Sequence, residues 1–213
     1  MTTELLPGYL QNYLDQLVPT RQPEMIKMEA YAHETSFPII GPASGYFCYL
    51  ITRLVHARSV FELGSGYGYS TAWFARAVQE NGGGDVYHVV WDAELSKKAR
   101  SHLGVLGYNG MIHYQVGEAV QTLKATDRQF DVIFNDIDKQ GYPDSLPVIY
   151  EKLKPGGVLI TDNLLYHGSI FESDNHTPST DAIREYTDLI TKDPRWISSI
   201  VPVRDGVMVA FKQ

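Results

Sequence analysis

The chain has 213 residues, of which 44% are hydrophobic, so it is long enough for one domain with a sizeable core and too apolar to be disordered. Its 18 basic residues against 25 acidic ones give a formal net charge of -7, which disfavours a broad nucleic-acid-binding surface. The single cysteine, Cys48, excludes a disulfide framework and a cysteine-rich zinc site. Because no apolar run is long enough for a membrane span and the first ten residues do not resemble a signal peptide, we expect a soluble, cytoplasmic protein that does not bind membranes.

The first quarter of the chain is predicted to be helical. Apolar residues recur at helical spacing, and prolines and a Gly-Pro pair separate the segments. Three helices are predicted, at residues 5–17, from Pro23 onward and at 41–54. We expect a single domain over 1–213, in which 1–57 form a helical cap and 58–213 form the core.

The core region alternates short apolar strands with helices. Strands are predicted at residues 59–63, 86–91, 111–116, 130–134, 158–161, 196–201 and 207–211, and helices at 70–78, after 92 and at 180–192. This pattern predicts an α/β fold whose seven-stranded sheet is mostly parallel, with helices on both faces and an antiparallel pair at one end. In such sheets ligands bind beyond the carboxyl ends of the strands.

A glycine-rich loop, GSGYG, follows the first predicted strand and opens a helix. Gly64 and Gly66 would let the backbone approach a ligand closely, and the helix start offers free N–H groups. The dinucleotide fingerprint GxGxxG fails, because Tyr69 stands where its third glycine belongs. The carboxylate of Glu62 favours a cationic ligand such as S-adenosylmethionine, although a glycine turn without a ligand is the structural alternative.

Acidic and amide side chains follow the fourth and fifth predicted strands. Asp136 comes directly after the fourth, and Asp162 and Asn163 follow the fifth. If these strands are neighbours, the three oxygen-bearing groups meet and suit Mg²⁺, Mn²⁺ or Ca²⁺. Lys139 could take a proton from a metal-bound hydroxyl. Alternatively, these residues only cap a helix and form a turn.

Four segments make the chain resemble the cation-dependent O-methyltransferases, the group of catechol and caffeoyl-CoA O-methyltransferases. They are FELGSGYGYS (61–70), FDVIFNDIDK (130–139), LKPGGVLITDNLLYHG (153–168) and PVRDGVMVAFK (202–212). The resemblance implies the class I, Rossmann-like fold of S-adenosylmethionine-dependent methyltransferases, with N-terminal helices over the active site.

The resemblance also implies roles for individual residues. The metal ligands would be Asp136, Asp162 and Asn163, the general base Lys139, and an aromatic wall of the acceptor pocket Tyr166. The cofactor contacts would be Glu62, Gly64, Gly66, Ser70 and Asp136, with Gly117, Glu118 and Ala119 near the adenine.

One position departs from the family pattern. The family ends its second strand with an acid that holds the ribose hydroxyls of the cofactor, but the aligned residue here is Val90. Asp92 stands two residues later. We expect Asp92 to bind the ribose.

The resemblance leaves the methyl acceptor open. We expect a small catechol-like molecule with adjacent hydroxyls. The alternative is tRNA, because MEAYAHETSFPI and REYTDLITKDPRWISSIVPVRDG are similar to tRNA 5-hydroxyuridine methyltransferases, although the loop FESDNHTPSTDAIREY carries acidic residues and one arginine. A third alternative is a non-catalytic protein that binds the cofactor or a partner. Relatives of this fold often form dimers, so we expect a homodimer.

Overall fold

The computed structural model describes residues 7–213, so the predicted helical residues Leu5 and Leu6 lie outside the described residues. The helices are α1 (Gly8–Leu17), α2 (Pro23–Thr35), α3 (Gly41–Leu54), α4 (Tyr69–Glu80), α5 (Ala93–Val105), α6 (Ala119–Lys124), α7 (Tyr142–Lys152) and α8 (Pro178–Thr191). The strands are β1 (Ser59–Leu63), β2 (Asp85–Val90), β3 (Ile112–Val116), β4 (Phe130–Asn135), β5 (Leu153–Thr161), β6 (Trp196–Val201) and β7 (Val207–Lys212).

The seven strands form one sheet in the order β3-β2-β1-β4-β5-β7-β6. The first five run parallel, whereas β7 lies antiparallel between β5 and β6. This confirms the predicted mostly parallel sheet with an antiparallel end. The chain builds outward from β1 to β3 and then returns to start β4 on the other side of β1, so the strand order reverses between β1 and β4. A ligand site is expected at that switch point.

Helices cover both faces of the sheet, which is why its central strands are apolar throughout. All five residues of β1 are buried. Val60 packs with Trp73 and Phe74 of α4 on one face, and Phe61 packs in a second cluster with Tyr186 of α8 on the other. The two clusters hold the sheet rigidly between helical layers, so the loops at its carboxyl edge are carried on a fixed frame.

The sequence did not predict two of the helices, α6 and α7, or the first part of β5. The six residues of α6 are too few to show a helical period. In α7, Pro143 occupies the first turn and Pro147 lies inside the helix, so the segment resembles a loop. β5 begins at Leu153, before the predicted strand start at 158, and its register with β4 shifts between Phe130 and Val132.

The helical cap presents apolar side chains to solvent along α1. Tyr9 is 78% exposed and Leu17 is 61% exposed. The predicted homodimer stays a prediction. Within residues 7–213, no helix has both the length and the apolar character that a membrane span requires.

Candidate active site

The glycine loop after β1 and the end of β4 are in direct backbone contact at the switch point. Gly64 has φ +90, and a Cβ built on it would lie 2.4 Å from the carbonyl oxygen of Asp136. Only glycine fits this approach. The Asp136 N–H donates to the Leu63 carbonyl at 2.9 Å. The contact fixes the predicted cofactor loop beside the predicted metal ligand.

Glu62 lies at the base of this loop with its carboxylate fully buried. Within the described part of the chain, neither carboxylate oxygen has a hydrogen-bond partner. Burial raises the pKa of Glu62 to about 7, although the nearby hydroxyls of Ser70, Thr71 and Ser65, which are not aligned for a hydrogen bond to it, act in the opposite direction. Because an unpaired buried carboxylate is costly, its placement favours a cationic ligand beside it.

Lys139 is held in the site by two side chains. Its Nζ donates to Oδ1 of Asp136 at 2.7 Å and to the hydroxyl of Tyr142 at 2.9 Å. That hydroxyl in turn donates to the carbonyl oxygen of Asp162 at 2.9 Å. Tyr142, fully buried at the start of α7, therefore joins the ends of β4 and β5 and orients the lysine. Sequence reasoning missed it, and its spacing of one helical turn from Lys139 was the available signal.

Asp162 places a second carboxylate in the site. It is 1% exposed, and its Oδ1 is buried without a hydrogen-bond partner in residues 7–213. Burial, followed by the nearby charge of Asp136, raises the pKa of Asp162 well above its ordinary value. Arg204 Nη1 lies 3.5 Å from its Oδ2, too far for a strong hydrogen bond. Because Asp162 has this little compensation and lies near the carboxylate of Asp136, the two are suited to share a cation.

Asn163 is oriented by a residue from the turn before β7. Its Nδ2 donates to Oδ2 of Asp205 at 3.1 Å, and no group in residues 7–213 donates to its amide oxygen, which can therefore face a ligand. Asp205 is 4% exposed and also accepts from the His167 N–H at 2.6 Å. A Cβ on Gly206 would lie 2.4 Å from Leu165 Cγ, so this close docking requires glycine. Asp205 was not predicted, because no local pattern links it to Asn163.

These side chains line one cavity of about 440 Å³ at the carboxyl edge of the sheet. Gly64, Gly66, Asp136, Lys139, Asp162 and Asn163 all lie on its wall, as does the predicted acceptor residue Tyr166. Phe37, Pro38 and Ile39, between α2 and α3, close another side. The same segment contacts a smaller adjoining pocket that contains Ser70. The predicted catalytic and metal residues therefore converge with Gly64, Gly66 and Ser70 of the cofactor loop, and the helical cap contributes a wall. Glu62 is fully buried and lines neither cavity.

Two predicted cofactor residues, Asp92 and Glu118, cap helices with their carboxylates. Asp92 Oδ1 accepts from the N–H groups of Glu94 and Leu95 at the start of α5. Glu118 caps α6 in the same manner and lines an open groove of about 690 Å³ outside the cavity. Val90 lies on the cavity wall itself.

The predicted adenine segment is otherwise close to the end of β2. The Gly117 N–H donates to the carbonyl oxygen of Val90 at 3.0 Å, and Ala119 is buried beside the sheet. The backbone of this segment therefore lies next to the cavity, whereas the acidic side chains of Asp92 and Glu118 are not brought to its wall.

The sequence of the chain is similar to those of known proteins. A family model described as O-methyltransferase matches residues 19–213. A catechol O-methyltransferase of Niastella koreensis is 24% identical over 187 residues, which are 85% of this chain and 84% of the relative. A protein of Dictyostelium discoideum named probable caffeoyl-CoA O-methyltransferase 2 is 25% identical, over 96% of this chain and 90% of its own.

Solved structures share the fold. An O-methyltransferase from Bacillus cereus in complex with SAH superposes with a TM-score of 0.86 at 24% identity, covering 96% of this chain and 97% of that one. TomG, an O-methyltransferase from Streptomyces achromogenes in complex with SAM, gives 0.88 at 22% identity with both chains fully covered. These neighbours confirm the class I, Rossmann-like methyltransferase fold. The match of the family model over residues 19–213 confirms the predicted enzyme class as well, and the chain belongs to the O-methyltransferase family.

Proposed function

We propose that the protein transfers a methyl group from S-adenosylmethionine to one hydroxyl of a small acceptor with two adjacent hydroxyls, with the help of a divalent cation. One observation carries the proposal. Asp136, Asp162 and Asn163, with Lys139, converge on one cavity beside the glycine loop that follows β1. Oxygen donors, a base and a cofactor loop are the groups that this chemistry requires.

The glycine loop fits S-adenosylmethionine. The buried carboxylate of Glu62, which lacks a partner within residues 7–213, suits the ammonium group of the methionine end. Gly66 offers backbone without a side chain, since a Cβ there would lie 3.3 Å from the ring of Phe37. The SAH and SAM in the two structural neighbours described above support the same cofactor. When bound, it supplies a methyl group on a positively charged sulfur, which becomes a neutral thioether on transfer.

The oxygen donors fit a hard divalent cation, with Mg²⁺ first and Mn²⁺ or Ca²⁺ as alternatives. Asp136 and Asp162 would supply carboxylate oxygens and Asn163 its amide oxygen. The partnerless Oδ1 of Asp162 and the amide oxygen left free by Asp205 are the structural observations that support this set. When bound, the cation supplies Lewis acidity, which makes an acceptor hydroxyl easier to deprotonate.

The remaining steps belong to residues of the chain. Lys139 accepts the proton of the reacting hydroxyl, while Asp136 and Tyr142 hold its Nζ in place. Phe37 and Tyr166 provide flat walls for an aromatic acceptor. Because charge is cancelled as the methyl group moves, we expect positioning to supply most of the rate acceleration.

Asp205 provides a test of the metal site that does not depend on turnover. Replacing it by alanine removes the group that holds the Asn163 amide. We expect the affinity for Mn²⁺ to fall about 10- to 100-fold, as for other residues that orient metal ligands. Calorimetric titration of wild-type and Asp205→Ala proteins measures this, with circular dichroism to verify folding. An unchanged affinity in a folded variant would show that Asn163 needs no such support.

Asp92 provides a test of ribose recognition. Its Oδ1 caps α5, whereas its Oδ2 makes no hydrogen bond in the described part of the chain and is proposed to bind the ribose. Asparagine caps helices as well as aspartate does. We therefore expect Asp92→Asn to keep the melting temperature while weakening S-adenosylmethionine binding about 10-fold, as measured by calorimetry. Equal affinity in both proteins would place ribose recognition elsewhere.

The loop before α8 disfavours tRNA as the acceptor. Arg184 lies in α8 and donates to the carbonyl oxygens of Asn175 at 2.7 Å and Glu172 at 2.6 Å, so its guanidinium is used to hold the loop. The acidic side chains Glu172 and Asp174 lie in the same loop. Phosphate binding depends on available Lys and Arg side chains.

A methyl-transfer assay tests the proposed function. Radiolabelled S-adenosylmethionine, Mg²⁺ and the enzyme are incubated with a panel of catechols or with tRNA that carries 5-hydroxyuridine without a methyl group on its 5-hydroxyl. We expect transfer to catechols that is abolished by a chelator and restored by Mg²⁺. Transfer to tRNA alone would contradict the proposed small-molecule acceptor. Transfer that continues in the presence of the chelator would contradict the proposed dependence on a divalent cation.

A further inference from the structure

Arg204 has a strained backbone at the edge of the candidate active site. It lies in the turn between β6 and β7 with φ +52, in the left-handed region that glycine adopts without strain and other residues rarely adopt. An arginine kept in such a conformation beside a ligand cavity points to a functional use of its side chain.

The guanidinium of Arg204 has few protein partners. It lines the cavity together with Lys139 and Tyr166, and its side chain is 32% exposed. Within residues 7–213 its one polar contact is Nη1 to Oδ2 of Asp162 at 3.5 Å, beyond the usual range of about 2.7–3.2 Å. Arginine carries five N–H donors, so most of them are available to a molecule in the cavity.

The charges around the cavity favour a negatively charged acceptor. A divalent cation held by Asp136 and Asp162 would neutralise the negative charge of those carboxylates. Arg204 would then keep its positive charge on the cavity wall. The sulfonium of the cofactor adds further positive charge. The remaining acidic residue on the wall, Asp138, is exposed and accepts from the Gln140 N–H.

We infer that Arg204 binds a carboxylate carried by the acceptor, so that the preferred acceptors are aromatic vicinal diols with a carboxylate substituent. The inference rests on the proposed function. A guanidinium pairs with a carboxylate through two parallel N–H···O bonds, which fix the orientation of the ring. Phe37 and Tyr166, on the wall of the same cavity, suit the flat ring that carries both groups.

The experiment compares two acceptors of the same shape, 3,4-dihydroxybenzoate and its neutral amide, 3,4-dihydroxybenzamide. With wild-type enzyme we expect kcat/KM to favour the acid at least about 10-fold, mainly through KM. Arg204→Gln should lower kcat/KM for the acid about 10- to 100-fold and change the value for the amide by less than about threefold. Arg204→Lys, which keeps the charge without the planar fork, should fall between them. Arg195→Gln, at an exposed arginine paired with Asp193, is the charge-matched control and should keep the wild-type preference.

Calorimetric titration of both acceptors into enzyme loaded with SAH and Mg²⁺ separates the two proposals. Selective binding of the acid that is lost in Arg204→Gln supports the inference, even if neither compound is methylated and the proposed function fails. Three results overturn it: wild-type enzyme binds neither compound, wild-type enzyme binds both equally, or Arg204→Gln weakens both equally. Equal weakening would show that the arginine acts on Asp162 and not on the acceptor.

Discussion

Replacing Asp136 by alanine is expected to reduce kcat/KM for a catechol about 1000-fold or more and to abolish detectable Mn²⁺ binding. The residue is a proposed metal ligand and holds Lys139 at 2.7 Å, so the change removes one ligand and releases the base at once. The side chain is partly exposed at a loop, so we expect the variant to fold. Turnover of catechol and calorimetric titration of Mn²⁺ measure the two losses.

Asp144→Ala is the matched control for this prediction. Asp144 is exposed in the first turn of α7, so the same substitution is made nearby without touching the cavity. We expect wild-type metal affinity and turnover in this variant. Full activity of Asp136→Ala under strong chelation would contradict the proposed metal site and the role given to the lysine.

Replacing Glu62 by glutamine is expected to have opposite effects on the free and the cofactor-bound protein. The buried carboxylate stabilises a cationic cofactor, so calorimetry should show S-adenosylmethionine binding weakened about 10- to 100-fold. Without the cofactor, burial of the same carboxylate in its charged form destabilises the folded protein. The variant should therefore be more stable than the wild-type protein at pH 8, by on the order of 3 kcal/mol.

The pH dependence follows from the direction of the shift. Burial raises the folded pKa of Glu62 from 4.5 to about 7, so the folded state binds the proton more tightly than the unfolded chain. The stabilisation from that proton is complete below about pH 4.5 and is lost as the pH rises to about 7. Melting temperatures of the free wild-type protein should fall across this window relative to Glu62→Gln.

Melting curves between pH 4.5 and 8, with and without S-adenosylmethionine, test both halves of this prediction. Glu151→Gln, at an exposed glutamate, is the control and should follow the wild-type curve. A parallel pH dependence in wild-type and Glu62→Gln proteins would show that this carboxylate does not titrate in the window. Unchanged cofactor affinity would place the cationic end of the ligand elsewhere.

The convergence of Asp136 and Asp162 could be predicted from sequence, because both follow directly after apolar strands. Parallel neighbours have their carboxyl ends at the same edge, so adjacency of β4 and β5 is enough to bring the two residues together. The glycine loop was visible for a similar reason, since its position after the first strand places it at the switch point. Both predictions depend only on which residues directly follow each strand in the sequence.

The predicted cofactor residues Asp92 and Glu118 show how the start of a helix positions an acidic side chain. Both positions directly precede a helix, where an acidic side chain satisfies free N–H groups. The structure shows their carboxylates at these caps, and their contacts to the cofactor stay predictions.

The sequence is sufficient to predict the alternation of strands and helices, the α/β class and the residues at each strand end, because these depend on local periodicity and on chain order. The distant groups that support the site are known from the tertiary structure alone. Tyr142 was hidden in a helix interrupted by prolines. Arg204 and Asp205 reach Asp162 and Asn163 because β7 inserts between β5 and β6, about 40 residues later in the chain. That insertion is a long-range pairing whose free energy comes from packing across the sheet, and no local pattern in the sequence encodes it.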